Sequence, residues 1–186
     1  MQKDFTLDAA GKVTQLSLKQ GLTTFREVCE HLFRLPYRRP SGKTPESVFV
    51  EGCGTCSSKH SVLKTIAEEH GQQDIELVLC VFRMANSNTP KIGKVLRRGP
   101  LSAIPEAHNY IRWGEEAIDI TKPGLHVSNL QADILEERVV SLEELTRKSE
   151  LHRDWLKSWL KANHPEISLE AAWEQREACI EALAES

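Results

Sequence analysis

The chain has 186 residues, 40% of them hydrophobic and 27% charged, with a formal net charge of −3. That length and balance suit one globular domain with a sizeable core. They exclude the basic excess of a nucleic-acid binder, and no segment is apolar over the length a bilayer span needs.

Residues 1–20 are expected to form an extended lead-in, with weak alternation at Val13, Leu16 and Leu18. Thr24-Phe25-Arg26-Glu27 fits a capping box that opens a helix. Phe25, Val28, Leu32 and Leu35 follow at helical spacing, and Pro36 ends the run. Pro36, Pro40, Gly42 and Pro45 mark a loop, and Val48-Phe49-Val50 reads as a short strand. A turn broken by Gly52 and Gly54 then leads into a helix at Cys56. Its buried stripe is Val62, Leu63, Ile66 and Ala67, and Gly71 is a left-handed stop.

Ile75 to Met84 is a nearly continuous apolar run, as in a strand buried on both faces. Residues 85–107 read as a long polar loop. His108 to Trp113 and Ala117 to Thr121 read as a hairpin around Gly114-Glu115, where a glycine in first place suits a type II′ turn. In that register Trp113 faces Glu116, and Asp119 shares the face of His108. A three-residue loop would turn Asp119 to the other face. Ile134 to Val140 is a further strand, and Ser141 with Glu144 forms a second capping box. The tail is helical, with Leu151, Trp155, Trp159 and Leu160 as one stripe, a break at His164-Pro165, and a last helix capped by Ser168. In that last helix Ala172, Trp173, Cys179, Ile180 and Leu183 are the expected packing residues. The expected organisation is a core over residues 1–140 and a helical extension over 141–186.

Chemistry concentrates around Cys56. A thiolate at a helix start is stabilised by free N–H groups and the helix dipole. Gly52, Gly54, Thr55, Ser57 and Ser58 make a tight polar setting that a buried filler cysteine would not need. His108 is the residue to take the thiol proton, and Asp119, framed by isoleucines, needs a partner and can orient that imidazole. His60, one helical turn down the same face, is read as a helix histidine, packed or solvated, rather than a ligand.

Cys53-Gly54-Thr55-Cys56 is also a C-x-x-C between a strand and a helix, the setting of a thioredoxin-like redox pair. No βαβ unit precedes it. Nothing completes a four-ligand zinc set, so no metal and no cofactor are expected. Five cysteines in a chain whose first residues lack a signal peptide's apolar stretch lead to the expectation of reduced thiols and a cytoplasmic protein.

Gly54-Thr55-Cys56-Ser57-Ser58-Lys59-His60, then Leu63 and Gly71, then His108-Asn109-Tyr110, then Ile118-Asp119-Ile120-Thr121, resembles the transglutaminase-like superfamily. The likeness runs over roughly residues 24–121, about half of the chain. It is closer to small bacterial transglutaminase and cysteine-protease-like members than to the animal cross-linking enzymes. Those carry an aromatic residue where this chain has Ser57, and calcium sites and sandwich domains that this length does not hold.

The resemblance implies an α+β, papain/transglutaminase-like core, with the nucleophile helix on an antiparallel sheet. It implies Cys56 as nucleophile, His108 as base and acid, and Asp119 as orienter. It further implies an oxyanion site from the Cys56 backbone N–H and an upstream side chain, for which Tyr37 is the candidate. The expected activity is a thiol-dependent hydrolase or acyltransferase acting on a peptide or small amide, without nucleic-acid or membrane partners. The alternatives are an inactive binding module of the same fold and the C-x-x-C redox protein.

Overall fold

The computed structural model describes residues 3–8 and 11–184. The fold is α+β, with a four-stranded antiparallel sheet flanked by helices. The strands are β1 (Ile75–Met84), β2 (Ile104–Trp113), β3 (Glu116–Ile118) and β4 (Ile134–Val139), in the order β3-β2-β1-β4. Among the described residues no helix is long and apolar enough to cross a membrane.

The chain forms two compact units. The first holds Met1–Leu79, Asn109–Ser128 and Arg138–Leu145, and the second holds Cys80–His108, Asn129–Glu137 and Thr146–Ser186.

In the first unit, α1 (Lys12–Lys19), α2 (Phe25–Arg34) and α3 (Glu46–Glu51) all contact α4 (Cys56–Glu69). The Thr24–Glu27 capping box forms in both directions, and α2 ends before Pro36. Val62, Leu63, Ile66 and Ala67 are fully buried on α4, and Gly71 adopts φ 66 just beyond it.

The lead-in departs from expectation, because α1 is a helix. Its packing residues include Thr14 and Ser17 beside Val13, so apolar periodicity alone does not reveal it. Its N-terminus has no local side-chain cap. Glu69 supplies one from α4, accepting from the amides of Val13 and Thr14 and from the Thr14 hydroxyl.

Val48-Phe49-Val50 is a helix as well. Val48 and Phe49 turn inward while Val50 is 77% exposed, a sidedness that strand alternation does not give. Pro45 starts this turn in the α region, and Gly52 at φ 59 stops it. The Cys53–Cys56 segment therefore lies between two helices, without the preceding strand on which the redox alternative drew.

The hairpin has the expected even loop, with Trp113 opposite Glu116 and Ile111 opposite Ile118. Gly114 takes φ 64, and Glu115 is not among the described residues with positive φ, which is the II′ pattern. β3 stops at Ile118 rather than reaching Thr121. The ladder groups beyond it are diverted. The Thr121 amide goes to the Asp119 carboxylate, the Ile120 amide to His60, and the Thr121 carbonyl to Lys59.

In the second unit the expected loop over 85–107 contains α5 (Gly93–Arg98) and the start of β2. Both carry masking signals. Gly93 opens α5 with its amide held by Asn86 Oδ1 at 3.1 Å, and Pro105 sits at the second position of β2. Helices α7 (Lys148–Asn163) and α8 (Leu169–Ala184) pack together, and α5 packs on α8. On α7 the buried stripe is His152, Leu156 and Leu160. Trp155 and Trp159 lie beside it, half-buried, since an indole is large and Trp155 keeps its N–H on the exposed Glu136 carboxylate at 2.6 Å. On α8, Ala172, Cys179 and Leu183 are buried with Gln175 and Arg176, whereas Trp173 and Ile180 are half-buried. Helix α6 (Leu142–Thr146) is capped by Ser141 and Glu144 as expected.

Candidate active site

Cys56 is the first residue of α4. Thr55 caps the helix, its hydroxyl taking the Ser58 amide while the Ser58 hydroxyl takes the Thr55 amide at 2.8 Å. The opening N–H groups of a helix lack intrahelical partners, so a negative sulfur there is favoured. Cys56 is 7% exposed, with its Sγ 3.8 Å from Ser57 Oγ.

This helix start is fixed to the sheet. Ser57 donates to Asn109 Oδ1 at 3.1 Å, and Asn109, fully buried on β2, donates to the Val78 carbonyl of β1 at 3.0 Å.

A second tether runs to the segment after β3. His60 lies one turn below Cys56. Its Nδ1 donates to the Cys56 carbonyl at 2.6 Å, and its Nε2 accepts the Ile120 amide at 3.0 Å. Those two bonds define a neutral ring protonated on Nδ1. The Asp119 Oδ1 at 3.8 Å from Nε2 therefore faces a lone pair, and the contact is not an ion pair.

Lys59 completes the tether. Its Nζ donates to the carbonyls of Leu35 and Thr121, both at 2.8 Å, and the side chain is fully buried. Burial pulls the ammonium down to about 8, against the opposing pull of Asp119, Cys56 and Cys53, while Lys122 adds to the lowering.

Asp119 is 5% exposed, and its Oδ1 accepts from the Thr121 hydroxyl at 2.6 Å and amide at 3.1 Å. Tyr37 is half-buried and forms a parallel bridge with Gly54, two residues before Cys56. Gly54 donates to the Pro36 carbonyl and accepts from the Arg38 amide, and Lys122 Nζ lies 5.6 Å from the centre of the Tyr37 ring. Cys56, Asp119 and Tyr37 thus belong to one unit, with their segments joined by named bonds. His108 belongs to the second unit, on β2, where it is 3% exposed and meets the Phe82 ring edge-on at 6.2 Å. Among the described residues no group of three or more His, Cys, Asp or Glu is placed to hold a metal ion.

No protein-family model, curated protein or solved structure matches this chain. What the site can do follows from its own chemistry.

Three buried polar residues receive no role in the site from the sequence: Lys59, His60 and Asn109. A signal existed for the first two. Cys56, Lys59, His60, Leu63, Ile66 and Ala67 fall at i, i+3, i+4, i+7, i+10 and i+11, so the buried stripe of α4 runs back to Cys56 through both. A lysine and a histidine on that stripe must find polar partners inside. Asn109 carries no such signal, because β2 is buried along nearly its whole length and has no polar face to break.

Proposed function

We propose that this protein is a thiol-dependent amide hydrolase or acyltransferase with a papain/transglutaminase-like core. The Cys56 thiolate attacks an amide carbonyl, forming a thioester as the C–N bond breaks. His108 first takes the thiol proton and then gives it to the leaving amine, and Asp119 orients the imidazole. The Cys56 N–H and the Tyr37 hydroxyl receive the developing oxyanion. Water or an amine then attacks the thioester and releases Cys56.

The observation that carries this reading is the double tether between the first turn of α4 and the Asp119–Thr121 segment, through Lys59 and His60. It holds a thiol at a helix N-terminus and a buried carboxylate in one body. The even hairpin loop adds support, because Trp113 opposite Glu116 and Ile111 opposite Ile118 is the register on which the expected placing of Asp119 depends. All five cysteines are buried thiols outside any disulfide, which suits a reducing, cytoplasmic setting.

The test is mass spectrometry of the intact protein after exposure to a panel of peptides and small amides. An acyl adduct on Cys56, absent in Cys56→Ser and retained in Cys53→Ser, is the expected result. Iodoacetamide labelling of Cys56 near neutral pH should be fast and should slow at least tenfold in His108→Ala, in line with general-base activation. If no substrate acylates Cys56 and labelling ignores His108→Ala, the enzyme reading is lost and a binding module takes its place.

A further inference from the structure

We propose that Lys59 is a positioning residue for the Cys56 thiol: its ammonium, held under the Gly54 turn by the carbonyls of Leu35 and Thr121, is the fixed positive charge against which the Cys56 thiolate forms. Its consequence for catalysis rests on Cys56 being the working thiol, as proposed above, but the coupling itself is measurable without any substrate.

The geometry points this way. Lys59 is three residues after Cys56, so the two share a face of α4. Its stem runs directly beneath the turn that delivers Cys56. A Cβ built on Gly54 would stand 2.7 Å from Lys59 Cγ, and Gly54 is not among the described glycines with positive φ. Glycine is required there for the closeness of the lysine, not for the shape of the backbone. The lysine and the nucleophile turn are therefore packed as one piece.

A buried ammonium needs more than two neutral carbonyls. It has three donors, and removing its charge from water is expensive unless opposite charge faces it. The groups that act on it are Asp119 and Lys122 from the segment after β3, Cys53 from the turn, and Cys56 from its own helix. His60, beside it, is held neutral by its two hydrogen bonds. Of these groups, Asp119 favours the charged lysine, Lys122 disfavours it, and Cys56 changes charge in the proposed reaction. Burial brings the lysine down to about 8, so it keeps its proton at neutral pH yet responds to a neighbouring charge. The charge on Cys56 then weighs on Lys59, and by linkage Lys59 weighs equally on Cys56. A lysine serving only as a tether for carbonyls would not respond to the thiol.

Two measurements decide it. The first follows the rate of Cys56 alkylation by iodoacetamide against pH, read by mass spectrometry of the Cys56 peptide. Lys59→Met keeps the stem and removes the charge. It should raise the midpoint by about one pH unit and slow labelling below the midpoint by about tenfold. An unchanged midpoint in a folded Lys59→Met protein overturns the proposal. The second needs no change at Lys59. The ε-carbon NMR titration of Lys59 in the native protein is compared with that in Cys56→Ser. Loss of the thiolate should lower the lysine midpoint by about half a unit or more, and an identical midpoint overturns the proposal even if Lys59→Met fails to fold. Coupling without any acyl adduct would sink the enzyme reading alone. An acyl adduct without coupling would sink this inference alone.

Discussion

The amide of Ile120 donates to His60 Nε2 at 3.0 Å inside a fully buried site. The same ring donates from Nδ1 to the Cys56 carbonyl, so one neutral imidazole joins the thiol-bearing turn to the chain leaving β3. His60→Ala should leave the Ile120 N–H without an acceptor and open a cavity. Together these are expected to remove about 2–4 kcal/mol of stability, measured as a lower urea midpoint at unchanged slope. Long-range proton–nitrogen NMR on the native protein should show His60 protonated on Nδ1 only at neutral pH. A proton on Nε2 would rule out the tether.

Gly54 and Lys59 should behave as a coupled pair. Gly54→Ala in the native background forces a Cβ to within 2.7 Å of the lysine stem, next to Ser58 Oγ at 3.1 Å. Overpacking of this kind is expected to destabilise by about 1–3 kcal/mol. In a Lys59→Ala background the stem is gone, so most of that loss should disappear. Denaturation of the four proteins of this cycle gives the coupling energy directly. Additive effects would mean that the glycine serves the backbone instead.

What could be read from the sequence was local. The Thr24–Glu27 and Ser141–Glu144 boxes, the Ser168 cap and the Gly114 turn each depend on residues within four positions of one another. β1 was legible because it is buried almost throughout. One failure was local, and the others came where a distant partner overrode local preference. Val48-Phe49-Val50 has the composition of a strand, yet Pro45 and Gly52 bracket it as one helical turn. Asp119-Ile120-Thr121 reads as strand, but its ladder groups bond to α4 and to its own carboxylate. The same tertiary bonds hid the roles of Lys59 and His60, since a lysine in a helix ordinarily reads as solvated.

Helix α1 is the clearest case of a distant cap, and it yields a third expectation. Glu69 accepts from the Val13 and Thr14 amides and from the Thr14 hydroxyl, doing for α1 what a local Ser or Asp does elsewhere. Gly11 leaves room for it, since a Cβ there would lie 2.0 Å from Glu69 Cδ. Glu69→Ala should cost about 1–2 kcal/mol and raise amide exchange selectively over residues 12–19. Gly11→Ala should displace the carboxylate and give the same exchange pattern. Uniform exchange in both variants would show that the carboxylate does not hold this helix.

Acid sensitivity should centre on Glu106 in the second unit. Arg176 grips its carboxylate twice, Nε to Oε2 at 2.7 Å and Nη2 to Oε1 at 2.6 Å, and also pairs with Glu177. Burial would raise the Glu106 carboxyl, but the guanidinium outweighs it, with help from His152, and holds the group down to about 2 from its ordinary 4.5. The folded protein then binds fewer protons than the unfolded chain between those values. This stabilisation is full above pH 4.5 and is lost as pH falls towards 2. His152, donating from Nε2 to the Pro105 carbonyl, is lowered from 6.5 chiefly by burial, so a smaller loss begins below that pH. Urea midpoints across pH should therefore fall in two stages. Glu106→Gln leaves Arg176 buried beside a neutral amide and should cost about 3–5 kcal/mol at pH 7. It should also flatten the second stage while keeping the first. Replacing both partners, Glu106→Leu with Arg176→Met, should recover most of the lost stability, because two apolar groups of similar volume avoid the desolvation that the ion pair must offset. A Glu106→Gln protein with the native dependence below pH 4.5 would show that this pair does not govern acid unfolding.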